Sequence, residues 1–280
     1  MNTLSPDQVM SGIRSLPALP LVVQELLQTM DREDVDIAEM ARKIALDPGL
    51  TARTLRLANS SFYGLANQVN TMQEAITVLG FRTIRSVVTT VALLGAFVTD
   101  PKSSFNINAF WRHALGVALC ARELAPSFKI NPEHAYTTGL LHDLGQLVLV
   151  TRFKDEYEAM LTYRRQHDCG LVHAERQVLQ IDHAQVGHLL TKHWRFPDAM
   201  QHSVGSHHQP PVNDVQPQDV VLIAANAIAH GLDLALDEDD CVPGLPAVFW
   251  RQTGLDDQQM LRIFARVEQQ FSGASLILNT

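Results

Sequence analysis

Apolar residues recur along this chain at the three-to-four-residue spacing of amphipathic helices, with capping residues between the runs. Behind Pro17 and Pro20, LVVQELLQTM aligns Val22, Val23, Leu26, Leu27 and Met30 on one face. Asp36 and Glu39 have capping-box spacing ahead of IAEMARKIAL, and Asp47-Pro48 reads as an N-cap with a first-turn proline. The helix that follows, PGLTARTLRLAN, sets Leu50, Leu57 and Ala58 opposite Arg53 and Arg56. Thr71 and Glu74 repeat the capping spacing before AITVL, Gly80 suits a C-terminal cap, and Arg82 to Phe97 follows as a strongly apolar helix.

The second half continues in the same style. Ala109 to Leu124 is helical in pattern and stops at Pro126, and Pro132 to Val150 forms one helix, or two broken near Gly145. Asp155 to Arg165 turns Tyr157, Met160 and Leu161 inward. His183 to Trp194, Pro197 to His207, Pro217 to Leu232 and Asp256 to Phe271 complete the set. No segment sustains a strand-like alternation, and no repeat of about 20 to 50 residues is present. The pattern predicts an all-α protein: an N-terminal helical subdomain over residues 1–100, a helical bundle over 101–235, and a C-terminal loop and helix over 236–280 packed on the bundle. The segment Asp100 to Asn108, bearing a proline and asparagines, marks the boundary between the halves.

Composition narrows the function classes. Apolar residues make up 46% of the 280 and charged residues 19%, enough for a full core. The formal net charge is −8, and the 22 lysines and arginines form no run, so no nucleic-acid surface is expected. Cys120, Cys169 and Cys241 are widely separated and form no CxxC pair, which fits a reducing compartment. The N-terminus lacks the architecture of a signal peptide. The most apolar run, Val87 to Val98, is shorter than the roughly 20 residues a bilayer requires. A cytoplasmic protein with no membrane contact is the expectation.

The histidines change the picture. All 12 lie after residue 112, several within apolar helices. His142 and Asp143 stand inside GLLHDLGQL, where burying two titratable groups is costly unless something pairs them. His113 precedes ALGVALCA, His183 opens DHAQVGHLL, and His207-His208 end PDAMQHSVGSHH. Asn226 sits mid-way along VVLIAANAIAH among apolar neighbours. Imidazoles with a carboxylate suit iron, manganese or zinc, one aspartate can bridge two ions, and such a centre polarises phosphoryl oxygens and activates water. A hydrogen-bonded core network is the alternative compensation.

With those residues in view, the chain resembles the HD superfamily of metal-dependent phosphohydrolases, whose signature is a histidine, a His-Asp pair and a distant aspartate. More closely, it is similar to the HDOD family, a branch found in bacterial signalling proteins. The matching text is SLPALPLVVQELL, IALDPGLTARTLRLANSSFYG, EAITVLGFRTIRSVV, FWRHALGVA, GLLHDLGQLVL, AERQVLQIDHAQVGHLL and HHQP, spanning about residues 10 to 235. The resemblance makes residues 101–235 an HD-like bundle. It implies a metal set of His113, His142, Asp143, His183, His207 and His208, with one or two divalent ions. The superfamily's closing aspartate falls on the helix of Asn226, a seventh expected ligand whose amide oxygen can bind a metal but carries no charge. His183, Gly187 and His207-His208 match additions found in the related HD-GYP branch, which hydrolyses cyclic di-GMP. PPVND stands in place of the GYP segment, and Ala109 stands where some members carry a glutamate. HDOD members are regarded as lacking demonstrated hydrolase activity. The resemblance therefore implies a signalling module with a metal site, other signalling proteins as partners, and a nucleotide or another phosphate-bearing ligand. Its alternative is a phosphohydrolase in which Asp143 and a water on the metal would carry the reaction.

Other residues read more plainly. Glu175 either supports a helix start or backs a metal ligand, with the first favoured. Arg53, Arg56 and Asn59-Ser60-Ser61 read as a solvated face and its cap rather than a phosphate site. Phe62-Tyr63-Gly64 reads as a packing element between the halves, and Asp237 to Asp240 as a solvated turn rather than a cation site. His134, His188 and His193 read as structural or surface residues, and His167, His173, His202 and His230 have no partner visible in the sequence.

Overall fold

The capping residues start the helices they precede. In the computed structural model, the side chain of Asp36 accepts from the Glu39 amide at 2.9 Å, Asp47 from the Leu50 amide at 2.9 Å, and Thr71 from the Glu74 amide at 3.1 Å. Each satisfies an amide that the first helical turn leaves open. Gly80 adopts φ +84°, closing one helix and admitting the next. The structure describes residues 3–29, 35–60, 63–97, 103–208, 216–237, 241–245, 247–275 and 278. Met30, Ser61, Phe62, Asp100, the segment PPVND and Glu238 to Asp240 lie outside them.

The first half holds α1 (Pro6–Arg14), α2 (Leu21–Gln28), α3 (Ile37–Ala45), α4 (Pro48–Ala58), α5 (Met72–Leu79) and α6 (Phe81–Ala96). The second holds α7 (Ile107–Leu124), a 3-10 turn at Ala125–Phe128, α8 (Pro132–Leu141), α9 (Leu144–Arg152), α10 (Lys154–His167), α11 (Leu171–Val178) and α12 (His183–His193). It continues with α13 (Asp198–Ser206), α14 (Pro217–Gly231), α15 (Ala247–Gln252) and α16 (Asp257–Ala274). Among the described residues there is no strand, and the protein is all-α. The helices α1, α11 and α15 are additional to those the periodicity predicts.

Packing joins the halves through one buried apolar cluster. The helices α2 to α5 gather on or around α6, and α6 also packs on α8, where the Thr90 hydroxyl lies 3.4 Å from the Tyr136 hydroxyl. The first helix lies on the second-half bundle: α1 packs on α12 and α9, and the Leu4 amide donates to the Leu179 carbonyl at 3.0 Å.

Two close approaches position the site. A Cβ on Gly139 would lie 2.8 Å from Ala118 Cα, so this glycine lets α8 run against the backbone of α7. A Cβ on Gly145 would overlap the His183 carbonyl oxygen and lie 2.7 Å from the Gly187 amide nitrogen. The break between α8 and α9 falls at His142–Asp143, where Asp143 has φ −102° and ψ 4°, and not at Gly145. Gly145 is required for contact between α9 and α12, and its place in the sequence is indistinguishable from that of a helix breaker.

Candidate metal centre

Four places in the bundle supply the cluster. His113 lies mid-way along α7, His142 and Asp143 occupy the α8–α9 break, His183 opens α12, and His207 and His208 follow α13. All but His113 stand at helix ends, where a residue can leave the helical path and turn toward a common centre. His113, His142, Asp143, His183 and His207 are buried, and His208 is half-buried.

Backbone and carboxylate partners fix which ring nitrogens face inward. His142 Nδ1 lies 2.7 Å from the Gly139 carbonyl oxygen, and His207 Nδ1 lies 2.7 Å from the Val204 carbonyl oxygen. A carbonyl only accepts, so each Nδ1 carries the proton and each Nε2 presents a lone pair. His183 Nδ1 lies 2.7 Å from Glu175 Oε2, which also accepts from the His183 amide at 3.0 Å. The same reasoning leaves the Nε2 of His183 facing inward.

Those nitrogens converge on the Asp143 carboxylate. His183 Nε2 and His207 Nε2 lie 3.1 Å and 3.3 Å from Oδ1. His142 Nε2 and His113 Nε2 lie 3.3 Å and 3.8 Å from Oδ2. His113 Nε2 is 3.2 Å from His142 Nε2, and His208 Nε2 is 2.8 Å from His183 Nε2. Gln146 Nε2 donates to Oδ2 at 2.9 Å, while Asp143 Oδ1 and His207 Nε2 make no hydrogen bond. Acceptors facing acceptors in a buried space repel one another unless a cation lies among them.

The electrostatics of the cluster follow from the same arrangement. Burial alone pushes Asp143 up, yet the imidazoles of His142 and His183 hold its carboxyl well below the ordinary range. Burial pushes His183 down, but the carboxylates of Glu175 and Asp143 hold it well above an ordinary imidazole, so without a metal a proton serves as the cation between them. Burial takes His142 well below its ordinary value against the pull of Asp143, and burial with the neighbouring His207 and His183 lowers His208.

The donor set fits a divalent metal. Two groups share Asp143: Asp143, His183, His207 and His208 form one, and His113, His142 and Asp143 the other. Within each group the ligand atoms lie within 4.8 Å of one another. Imidazole and carboxylate donors suit first-row ions, and each histidine with a bonded Nδ1 has the outer partner typical of a metal ligand.

The structure thus brings together six of the seven residues expected as ligands. The seventh, Asn226, is buried on α14 with its Oδ1 making no hydrogen bond. It lies one turn before His230, whose ring centroid is 4.3 Å from that of His113, so Asn226 shares the α14 face that packs on α7. Glu175 is fully buried and holds His183, a role the sequence weighting ranked second to helix support. Gln146 was not singled out by sequence, and only its i+3 position after Asp143 signals its bond. Elsewhere, His188 ties α12 to α13 through the Gln201 carbonyl, and His202 Nε2 lies 3.5 Å from Asp219 Oδ2. Asn59 exchanges two 2.8 Å hydrogen bonds with the backbone of Val69, which makes it a loop clamp. Arg53 and Arg56 are exposed, as a solvated face requires.

Comparison with known proteins agrees with this geometry. The model of the HDOD domain matches residues 16–210. A solved structure from Shewanella amazonensis SB2B, named as a candidate phosphohydrolase, is 26% identical with a TM-score of 0.78, covering 97% of this chain and 98% of that one. Another, from Marinobacter aquaeolei VT8 and named as a candidate signal transduction protein, has a TM-score of 0.80 at 21% identity, covering 98% of this chain and 65% of that one. An uncharacterised protein of Treponema pallidum (strain Nichols) is 22% identical over 264 residues, or 92% of this chain. The chain spans about half the length of that relative, 50%.

Proposed function

The chain belongs to the HDOD family, and from that premise we propose that it is a signal-transduction module whose second half holds divalent metal and turns over phosphoesters poorly or not at all. The observation that carries the metal is the convergence of inward-facing Nε2 atoms on the Asp143 carboxylate in a buried space. Iron, manganese or zinc, one ion or two, would be held by His113, His142, Asp143, His183, His207 and His208.

Each outer partner has a defined task. The carbonyls of Gly139 and Val204 keep protons on the Nδ1 atoms of His142 and His207. Glu175 holds the proton on His183 Nδ1 and adds negative charge behind that ring. A cation there supplies Lewis acidity toward a phosphoryl oxygen. Asn226, in the place where the superfamily carries an aspartate, brings no charge, and this supports weak or absent turnover.

A partner protein or a phosphate-bearing ligand such as a nucleotide would deliver the signal. The free cysteines Cys120, Cys169 and Cys241 support a cytoplasmic setting, and no described helix is long and apolar enough to cross a membrane.

The second reading is a metal-dependent phosphohydrolase, favoured by the completeness of the histidine set and by the Shewanella likeness. Metal-loaded protein assayed on cyclic di-GMP, other nucleotides and a generic phosphodiester separates the two. Absence of turnover supports the signalling module. Turnover that vanishes in His142→Ala and Asp143→Ala establishes the hydrolase.

A further inference from the structure

The two ligand groups that share Asp143 differ in donors and in charge. The first has four donors: Asp143 Oδ1, His183, His207 and His208. Oδ1 makes no hydrogen bond, so its lone pairs are available, and Glu175 stands 2.7 Å behind His183 as a second carboxylate. The second group has three donors: Asp143 Oδ2, His113 and His142. Its Oδ2 already accepts from Gln146 at 2.9 Å, and the partner behind His142 is the neutral carbonyl of Gly139.

Charge bookkeeping sharpens the contrast. One dication in the first group is neutralised by Asp143 and Glu175 together. A second dication would share Asp143, already committed, and would meet only neutral His113 and His142. The further buried acceptor on the adjoining face of α14, Asn226 Oδ1, is also neutral. Beyond the shared Asp143, the second group contributes two imidazoles and no carboxylate of its own against repulsion from the first ion.

We propose that the centre fills unevenly: a resident cation is held by Asp143 Oδ1, His183, His207 and His208, and a second at Asp143 Oδ2, His113 and His142 binds at least about tenfold more weakly. The difference rests on the metal-centre reading above. Asn226 sets the weakness of the second position, and Glu175 the strength of the first.

The test is titration of the metal-free full chain with Mn²⁺, with the free ion followed by electron paramagnetic resonance. Two classes are expected, one equivalent tight and one weak. His142→Ala should remove only the weak class, and His208→Ala should weaken the tight one. Glu175→Gln should weaken the tight class by about 10- to 100-fold. Asn226→Asp should strengthen the weak class about tenfold or more, a gain that misfolding cannot produce. Two equal classes, or a tight class lost in His142→Ala and kept in His208→Ala, would overturn the uneven filling and leave the metal centre standing. No binding of Mn²⁺ to folded wild-type protein would overturn both.

Discussion

The two halves of the molecule both bury hydroxyls against their own helices, as Thr137, Thr138 and Thr191 do in the second, but only the second also buries a cluster of titratable groups. In the first, buried hydroxyls are satisfied within a turn of their own helix: Thr29 donates to Leu26, Thr89 to Arg85 and Thr90 to Ser86, at 2.7, 2.9 and 2.8 Å. Buried Arg85 likewise donates to the Thr29 carbonyl at 2.8 Å. Among the described hydroxyls of this half, those of Thr54, Ser60 and Ser86 are the exceptions, each a single neutral group. In the second half, imidazole lone pairs and a carboxylate face one another across four separate places in the fold. Burial of a polar side chain is therefore no functional signal by itself. Convergence of several imidazole Nε2 atoms on one buried carboxylate is one, because such a cluster needs a proton or a cation among its acceptors.

Substitutions separate the two kinds of burial. The largest effect belongs to Asp143→Ala, which removes the charge common to both ligand groups. Divalent metal retained after saturation and desalting, measured by elemental analysis, should fall to background. Gly145→Ala comes next, since its Cβ would overlap the His183 carbonyl. It should destabilise the protein by about 3 kcal/mol or more and weaken metal binding. Gly170→Ala, with open space around it and φ −65°, should stay within about 0.5 kcal/mol when both glycine variants are compared with the wild type by denaturant titration.

Acid should expose the difference in metal-stripped protein. Burial keeps His142 and His208 neutral in the folded state, whereas in the unfolded chain they protonate below the ordinary value of 6.5. The unfolded state then binds more protons, so stability falls as pH drops below 6.5, by about 1.4 kcal/mol per pH unit for each such ring. Asp143 adds to this at lower pH, because its stabilising contribution is lost as pH falls through its depressed folded value. His183 acts in reverse: its contribution is full below the ordinary imidazole value and fades as pH rises through its raised folded value. Chemical denaturation of stripped and metal-loaded protein across about pH 5 to 8 checks the slope, which bound metal should flatten. A small effect is expected of Thr90→Val, about 1 kcal/mol or less, with metal uptake unchanged.

Much of the fold is legible in the sequence because its helices begin with local chemistry. Asp36, Asp47-Pro48, Thr71 and Gly80 act within a few residues of themselves, and the apolar period supplies the rest. Helix α1 is less legible, since what holds it lies far along the chain: Leu4, just ahead of it, donates to the Leu179 carbonyl, and its Gly12 lies against the Phe153 ring. The site divides in the same way. The His-Asp and His-His pairs announce themselves as adjacent titratable residues in apolar text. The hold of Glu175 on His183, the contact of His230 with His113 and the service of Gly145 as a contact surface are tertiary facts, and nothing local in the sequence separates them from helix support, a surface histidine or a helix break.

On the proposed reading, a divalent cation completes the buried histidines and Asp143. Elemental analysis of the protein purified without added metal, beside Asp143→Ala prepared identically, tests it most directly. About one equivalent or more of iron, manganese or zinc in the wild type and background in the variant is the predicted result. Folded wild-type protein that carries none, and takes up none when each ion is supplied, would contradict the account.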